Sequence, residues 1–436
     1  MALRFGTDGV RAEALTVLTT QFARALGAVA AQVLDGDAML IGRDTRESGP
    51  ELQRAFAQGC ASVGVDVIDL GVVPTPAVAH LSAIKAVPGA MLSASHNPWQ
   101  DNGIKLFSAG GLKLSDGDQD VIQAQLDQAP ALEDNGVEPA VQQGTVEPYI
   151  EAVVASVGGR NFAGSKVVLD SANGSASTTA KRIFERLGAD VVSLADVPDG
   201  RNINAGVGST HPEFLQAAVV EHGADAGFAF DGDADRIAAV GSDGALIDGD
   251  RIIAMTALDR RDRGVLAEDT IVITVMANLG FRMAMVEAGI NLVETPVGDR
   301  YVLEALDSGG FSLGGEQSGH VIHRDLATTG DGVLTAVQLM DAANRRQVDL
   351  GQWASGVMTR YPQVLENVRT EAKIPGLLRL LADAIASEEE VLGDRGRVLI
   401  RESGTEPVVR VMVEAADAEL AQASTGRLVD AVKALQ

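Results

Sequence analysis

The apolar run AMLIG at residues 38–42 opens the pattern that decides the fold. It predicts a short buried strand, while residues 51–63 carry helical periodicity and VDVIDL at residues 65–70 is strand-like again. A strand, a helix and a second strand in close succession are typical of a βαβ unit in a mostly parallel sheet. This part of the chain therefore predicts an α/β domain.

The same pattern begins again at two later points. Each restart predicts a strand, a helix and a strand, so we expect three α/β domains of similar topology. The elements expected in the second and third domains lie at residues 166–170, 176–187, 190–194, 270–274, 280–288 and 291–294.

The C-terminal stretch has a different order of elements and predicts a smaller α+β domain. Its expected elements are a helix at 377–389, strands at 396–401 and 408–414, and a helix at 418–435. The expected domain boundaries are 1–152, 153–253, 254–366 and 367–436.

Length and charge narrow the class of protein. A chain of 436 residues is too long for a single hydrophobic core. Its formal net charge of −25 disfavours a nucleic-acid partner, because binding to a phosphate backbone needs a basic surface. An anionic ligand would therefore need a local basic island.

Cysteine use and hydropathy indicate the compartment. Cys60 is the only cysteine, which excludes an intramolecular disulfide and favours a reducing compartment; we expect it to be a buried structural thiol. The N-terminus has no apolar signal core, and the apolar run at 271–281 is too short to span a bilayer. We expect a soluble cytoplasmic protein without a membrane partner.

A serine follows one of the apolar runs in a polar loop. Ser95 stands in ASHNP at residues 94–98, after the run at 88–92, where the end of a strand would present its hydroxyl. A serine hydroxyl without an activator is a weak nucleophile. The alternative is an ordinary turn serine, and the rest of the chain has to decide between the two.

Three carboxylates stand at alternate positions in DGDADR, residues 231–236, after the apolar run at 226–230. On an extended loop, Asp231, Asp233 and Asp235 would point to one side and offer hard oxygen ligands to Mg²⁺. Clustered carboxylates repel one another, and a bound cation relieves that repulsion. The alternative is a solvated acidic turn; an EF-hand is excluded because its sixth position needs glycine and holds arginine here.

Two further segments suit an anionic, hydroxylated ligand. RESGTEPVVR at residues 401–410 offers two hydroxyls, backbone N–H groups and two guanidiniums, which suit a phosphate; the alternative is a hairpin loop with surface arginines. GGEQSGH at residues 314–320 offers side chains that can bridge vicinal hydroxyls of a sugar, or it is a structural turn. Arg11 and Lys105 place cations in two more loops, where each alone reads as solvated.

Together these segments resemble the α-D-phosphohexomutase superfamily, from Phe5 to Arg410 and in family order. The serine loop resembles the family's phosphoserine loop, and the acidic loop resembles its metal loop, in which Ala234 stands where glycine is commoner. The segment at 315–320 resembles the sugar loop, 401–410 the phosphate loop, and 295–300 a further loop near the sugar. The combination is far more specific than any single motif.

The resemblance implies a fold and a reaction. The fold is three similar α/β domains with mixed sheets and a smaller C-terminal α+β domain, around a central cleft. The reaction moves a phosphate between O6 and O1 of a hexose through a phosphoserine and a 1,6-bisphosphate, and feeds synthesis of UDP-N-acetylglucosamine and cell-wall precursors. Gln317, between Glu316 and Ser318, favours glucosamine 6-phosphate as substrate, with glucose or mannose phosphates as the alternative.

The resemblance also implies roles for particular residues. The catalytic group is Ser95, His96, Arg11, Lys105 and His320. One Mg²⁺ per active site is held by Asp231, Asp233, Asp235 and an oxygen of the phosphate on Ser95. The substrate contacts are Arg236, Thr295, Gly298, Asp299, Glu316, Ser318, Arg401, Ser403, Gly404, Thr405 and Arg410.

Priming of Ser95 needs a hexose 1,6-bisphosphate activator or a kinase, and formation of a homodimer is left open. Two readings of another kind also stay open: a metal-dependent phosphatase with Asp231 as nucleophile, and a non-catalytic sensor of sugar phosphates.

Overall fold

Four β-sheets, of six, five, four and three strands, organise the computed structural model. It describes residues 3–6, 9–129, 132, 134, 139–402 and 407–435. The chain forms two compact units, Met1–Met276 with Ile290–Val357 and Ala277–Gly289 with Met358–Gln436. The first unit contains the three larger sheets and the second contains the smallest. None of the described helices is both long enough and apolar enough to cross a membrane.

The six-stranded sheet has the order β1-β5-β4-β2-β3-β6. Its strands are β1 (Val10–Glu13), β2 (Ala38–Arg43), β3 (Asp66–Val72), β4 (Gly89–Leu92), β5 (Asp101–Phe107) and β6 (Val141–Gln143). The helices of this region are α1 (Thr20–Val33), α2 (Gly49–Ser62), α3 (Thr75–Lys85), α4 (Asp116–Leu126) and α5 (Glu147–Ala155). β2 runs parallel to β3 and β4, which confirms the predicted βαβ unit, and β5 runs antiparallel to β4 and β1.

Arg11 and Lys105 lie in strands, so their predicted placement in loops is wrong. Arg11 lies in β1 and Lys105 in β5, and the two strands pair with Arg11 opposite Gly103. The polar start of β5 argues against a strand on propensity, but burial of the segment between two neighbouring strands overrides that preference.

The five-stranded sheet has the order β11-β10-β9-β7-β8. Its strands are β7 (Lys166–Asp170), β8 (Asp190–Leu194), β9 (Ala226–Phe230), β10 (Ile237–Gly241) and β11 (Leu246–Ile247), and its helices are α6 (Ala180–Arg186) and α7 (Glu213–His222). The helix expected from residue 176 begins later, because a 3₁₀ turn occupies Ser175–Thr178.

The four-stranded sheet has the order β13-β12-β14-β15. Its strands are β12 (Thr270–Thr274), β13 (Asn291–Thr295), β14 (Leu313–Gly315) and β15 (Val321–His323). The helices of this part of the chain are α8 (Gly249–Asp262), α9 (Leu279–Glu287), α10 (Asp299–Gly309), α11 (Gly332–Arg346) and α12 (Leu350–Val357). Although α9 connects β12 to β13, it belongs to the second compact unit.

The three-stranded antiparallel sheet has the order β16-β18-β17. The elements of this domain are β16 (Gln363–Arg369), α13 (Leu377–Leu380), α14 (Ala382–Leu392), β17 (Arg397–Glu402), β18 (Val408–Glu414) and α15 (Ala418–Lys433). The single helix expected at 377–389 is two helices, since Leu381 leaves helical geometry with φ −95° and ψ 1°. The smaller C-terminal α+β domain is thus confirmed. Its strand β16 was not predicted from the sequence.

Cys60 has the expected structural role. Its side chain is fully buried in α2, its thiol lies 3.4 Å from the carbonyl oxygen of Gly27, and burial raises its pKa to about 12. A thiol that stays protonated at neutral pH is a poor nucleophile.

Close contact between α1 and α2 generates a stability prediction. A Cβ on Gly59 would lie 2.0 Å from the carbonyl oxygen of Arg24, so Gly59→Ala should lower the free energy of unfolding by about 1–3 kcal/mol. Gly426→Ala in α15 is the matched control: its Cβ meets nothing within 4 Å in the described chain, and alanine should stabilise that helix by up to about 1 kcal/mol. Urea unfolding measures both, and equal effects would contradict the packing.

Candidate active site

Ser95 meets the acidic loop directly. It follows β4, only 1% of it is exposed, and its Oγ donates a 2.6 Å hydrogen bond to Oδ2 of Asp231, which follows β9. The Nδ1 atom of His96 lies 3.3 Å from the same Oγ. Two sheets therefore bring together side chains that are 136 residues apart in the chain.

The three carboxylates converge through a turn. One ligand atom from each of Asp231, Asp233 and Asp235 lies within 4.8 Å of the others, and all three residues are buried. In an extended segment, the Cα atoms of Asp231 and Asp235 would lie about 13 Å apart. The predicted extended loop is wrong: Ala234, at φ 59°, turns the chain, and its N–H donates to the carbonyl of Asp231 at 3.0 Å.

Neighbouring cations balance part of this negative charge. The Nζ atom of Lys105 lies 2.9 Å from Oδ2 of Asp233 and 3.1 Å from Oδ2 of Asp235. Burial, together with the other two carboxylates, raises the pKa of Asp231 to about 8. Burial also opposes ionisation of Asp235, but Lys105 and His320 outweigh it and hold the Asp235 pKa well below its ordinary value.

The acidic cluster fits a hard divalent cation. Oδ1 of Asp233 and Oδ1 of Asp235 are buried and have no hydrogen-bond partner among the described residues. Unsatisfied buried oxygens are costly, and carboxylate oxygens are the ligands that such a cation prefers. The hydroxyl of Ser95 borders the cluster, so a group on Ser95 would meet the same cation.

A buried arginine that the motifs did not reveal holds the serine loop. Arg46 donates to the carbonyl oxygens of Ser95 at 2.9 Å, Asn97 at 2.8 Å and Asp101 at 2.8 Å, and also to that of Pro98. Asp44 accepts from its Nε at 2.8 Å, and both side chains of the pair are fully buried. The guanidinium thus ties together the loop that carries Ser95.

Asn204 supports the same loop from the connection between β8 and α7. Its Nδ2 donates to the carbonyl oxygens of Ser95 at 2.9 Å and Asn97 at 3.1 Å. In sequence, Arg46 and Asn204 stand in polar turns that read as solvated, and nothing local marks them as buried. Only the tertiary contacts reveal their role.

A cavity of about 420 Å³ opens beside the cluster. Its size is within the range of small-molecule sites. Among the predicted site residues, it is lined by Arg11, Asp235, Arg236, Gly298, Asp299, Glu316 and His320. With Arg4, which the motifs did not include, three guanidiniums and several oxygen acceptors line the cavity and suit a ligand that is both anionic and hydroxylated.

His320 lies between two carboxylates at this cavity. Its Nδ1 is 3.7 Å from Oδ1 of Asp235, and its Nε2 is 3.5 Å from Oδ2 of Asp299. Burial opposes protonation of the imidazole, but Asp235 and then Asp299 outweigh it and raise the His320 pKa.

His96 behaves in the opposite way. Burial, Arg236 and Arg11 lower the pKa of His96 to about 4, and NH1 of Arg236 donates to its Nδ1 at 3.1 Å. A neutral His96 is therefore fixed in orientation next to Ser95.

The two predicted sugar segments are joined to each other. The backbone N–H of Gly298 donates to Oε1 of Glu316 at 3.0 Å, and Gly298 has φ 135°, which strains any residue with a side chain. Ser318 is exposed next to Glu316, with 3.5 Å between its Oγ and Oε2. Thr295 is turned inward, since its hydroxyl donates to the carbonyl oxygens of Ile273 and Pro296.

The predicted phosphate segment lies in the second compact unit. Arg401 on β17 pairs in register with Arg410 on β18, and burial followed by the charge of Arg410 lowers the Arg401 pKa. Ser403, Gly404 and Thr405 fall outside the described residues.

Comparison with models of known protein families finds matches along nearly the whole chain. Four models of the phosphoglucomutase/phosphomannomutase family match it: α/β/α domain I at residues 2–133, domain II at 147–244, domain III at 248–361 and the C-terminal domain at 365–431. The chain belongs to the phosphoglucomutase/phosphomannomutase family. The finer domain boundaries expected from the sequence stay a prediction.

Curated members of this family are similar over the full length. The phosphoglucosamine mutase of Thermobifida fusca is 52% identical over 99% of this chain and 98% of its own length. The phosphoglucosamine mutase of Streptomyces griseus is 50% identical over 99% of both chains.

Solved structures of the family share the fold. A phosphoglucomutase/phosphomannomutase family protein from Burkholderia thailandensis has a TM-score of 0.82 and 27% identity, over 98% of this chain and 97% of its own. An N-acetylphosphoglucosamine mutase from Aspergillus fumigatus, solved with GlcNAc-6P and magnesium, has a TM-score of 0.73 and 19% identity, over 100% of this chain and 96% of its own.

Arg46 clamps the serine loop through its hydrogen bonds to the backbone carbonyl oxygens. This clamp predicts a sharp difference between two conservative substitutions. Arg46→Lys keeps the charge but loses the planar fork of donors, leaving buried carbonyls unsatisfied. It should lower the free energy of unfolding by about 2–4 kcal/mol. Arg182→Lys, at an exposed pair with Glu147, should change it by less than about 0.5 kcal/mol. Thermal unfolding of both variants checks this, and an Arg46→Lys protein as stable as its control would contradict the clamp.

Proposed function

We propose that the chain interconverts glucosamine 6-phosphate and glucosamine 1-phosphate, as a phosphohexomutase of the isomerase class. The observation that carries the proposal is the 2.6 Å contact between the Ser95 hydroxyl and Asp231, one of three buried carboxylates beside a cavity that three arginines line. Full-length relatives at about 50% identity are named phosphoglucosamine mutase, which supports the choice of sugar. The product would feed synthesis of UDP-N-acetylglucosamine and of cell-wall precursors.

The proposed reaction has two phosphoryl transfers. In the first, O1 of glucosamine 6-phosphate attacks the phosphorus on Ser95, the bond from phosphorus to Oγ breaks, the O1 proton passes to a base and Oγ takes up a proton. The 1,6-bisphosphate then turns over in the site. In the second, Oγ of Ser95 gives its proton to a base and attacks the 6-phosphate, the bond from phosphorus to O6 breaks, and O6 receives a proton. Glucosamine 1-phosphate leaves, and the phosphoserine is restored.

We assign the proton transfers to His320 and Lys105. Both are buried at the acidic cluster: Lys105 bonds to Asp233 and Asp235, and His320 lines the cavity. His96 would orient the phosphoserine from its position next to Ser95, together with Arg236, which donates to its Nδ1 at 3.1 Å. Arg11 and Arg236 would stabilise the charge on the migrating group.

The remaining predicted residues bind the sugar phosphate in this proposal. Glu316, Ser318 and the segment with Gly298 and Asp299 would contact sugar hydroxyls, and Thr295 would support that segment from behind. Arg401, Ser403, Gly404, Thr405 and Arg410 would bind the phosphate that is not reacting.

Mg²⁺ is the proposed cofactor, one ion per active site. Asp231, Asp233, Asp235 and an oxygen of the phosphate on Ser95 would hold it, and when bound it supplies positive charge that offsets the charge of the phosphoryl oxygens. A hexose 1,6-bisphosphate or a kinase would supply the first phosphate.

A substrate panel tests the choice of sugar. On the phosphorylated protein, kcat/KM for glucosamine 6-phosphate should exceed that for glucose and mannose phosphates by at least about tenfold, since 1.4 kcal/mol of differential transition-state binding gives that ratio. An equal or higher value for mannose 6-phosphate would assign the chain to the alternative branch of its family.

Removal of the Ser95 hydroxyl should abolish turnover. Ser95→Ala leaves no oxygen to carry the phosphate, whereas Ser62→Ala, on the exposed surface of α2, should keep full activity. Mass spectrometry of tryptic peptides should find phosphate on Ser95 of the active protein. Phosphate on Asp231, together with rapid release of free phosphate, would favour the phosphatase reading.

The acidic triad should set the response to metal. Asp233→Asn replaces one of the three carboxylates of the cluster with a neutral amide and should raise the Mg²⁺ concentration for half-maximal activity by about tenfold or more. Asp243→Asn, in an exposed turn, is the matched control and should leave it unchanged. Titration of chelator-treated protein with MgCl₂ measures both, and coincident curves would remove the metal assignment.

A further inference from the structure

Lys113 reaches the cavity wall from another part of the fold. It lies between β5 and α4, where it forms an isolated β-bridge with Phe107. Its Nζ donates to Oδ2 of Asp299, the first residue of α10, 186 residues further along the chain. None of the sequence motifs includes Lys113.

The contact is largely closed to solvent. The side chains of Lys113 and Asp299 are 9% and 12% exposed, and that of His320 is 2% exposed. The oxygen that accepts from Lys113 is also the one that lies 3.5 Å from Nε2 of His320. Burial makes such a pair strongly sensitive to loss of one partner, because the other charge is then left uncompensated.

The charges alternate along this line of contacts. Lys113 is followed by Asp299, then His320, and then Asp235 of the acidic cluster at 3.7 Å. Without Lys113, two carboxylates would face opposite sides of one imidazole with less positive charge to offset them. The Asp299 side chain would then lose the contact that fixes its orientation.

We infer that Lys113 is a positioning residue for the proposed reaction. It holds Asp299 in place, and through Asp299 it sets the sugar side of the cavity next to His320. The inference rests on the proposed function, because it assigns the sugar to the surface formed by Asp299. Lys113 acts through Asp299 and does not contact the substrate.

An adjacent ion pair provides an internal comparison. Arg300, next to Asp299, pairs with Asp116, three residues after Lys113, so the same two segments are joined a second time. The Asp116 side chain is 67% exposed, and neither partner is among the residues that line the cavity. Loss of this pair tests a simple link between the segments without disturbing Asp299.

A double-mutant cycle tests the inference. Lys113→Met should raise KM about tenfold and lower kcat by less, and Lys113→Arg should recover most of that loss because arginine also donates to a carboxylate. In an Asp299→Asn background, Lys113→Met should change kcat/KM by less than about twofold. The kcat/KM of Asp116→Asn should stay within about twofold of that of the protein without substitutions.

Three results would overturn it. Losses that multiply in the double variant would show that Lys113 acts independently of Asp299. If Asp116→Asn lowers kcat/KM as much as Lys113→Met does, the contact between Lys113 and Asp299 only links the two segments. Full activity in Lys113→Met would show that Lys113 does not position Asp299. If Lys113→Met does not fold, Lys113→Gln carries the same cycle. The cycle uses whichever hexose phosphate the unmodified protein converts fastest, so an error in the proposed substrate appears in the substrate panel alone.

Discussion

The buried guanidinium of Arg46 is the constraint on which the rest of the site depends. Ser95 has φ 53°, a left-handed conformation that costs a residue with a side chain about 1–2 kcal/mol. Such a conformation persists only where the surroundings over-determine it. Arg46 does this from one side and Asn204 from the other, both through the Ser95 carbonyl. With the backbone fixed in this conformation, the Ser95 hydroxyl is directed at Asp231.

Much of the architecture could be predicted because it depends on local pattern. The sequence predicts β7 and β12 at their observed bounds, since buried parallel strands leave a continuous apolar signature. The loops that carry Ser95 and the acidic triad are recognisable in the sequence because their residue types suit phosphoryl and metal chemistry. What could not be predicted depends on tertiary contact: β5 is polar at its start, and Arg46 stands in a turn that looks solvated.

In the acidic loop, three carboxylates converge although the backbone conformation expected for them is wrong. Alternation along an extended segment placed the three carboxylates on one side, yet a turn at Ala234 is what brings them together. The left-handed φ at this position also explains why glycine is the commoner residue there in the family that the sequence resembles. Cationic side chains such as Lys105 lie next to these carboxylates and offset part of their charge. The site therefore suits an anion although the chain has a net charge of −25.

The helix α9 gives the chain a boundary that its order in sequence does not suggest. Asn278, just before α9, donates to the side chain of Glu414 and to the carbonyl of Tyr361, each at 3.0 Å, and a Cβ on Gly280 would lie 1.6 Å from the carbonyl oxygen of Thr359. The C-terminal domain is therefore completed by a segment borrowed from the middle of the polypeptide. During synthesis α9 leaves the ribosome long before its packing partners, and in evolution an exchange of C-terminal domains between relatives would have to carry a compatible α9 with it.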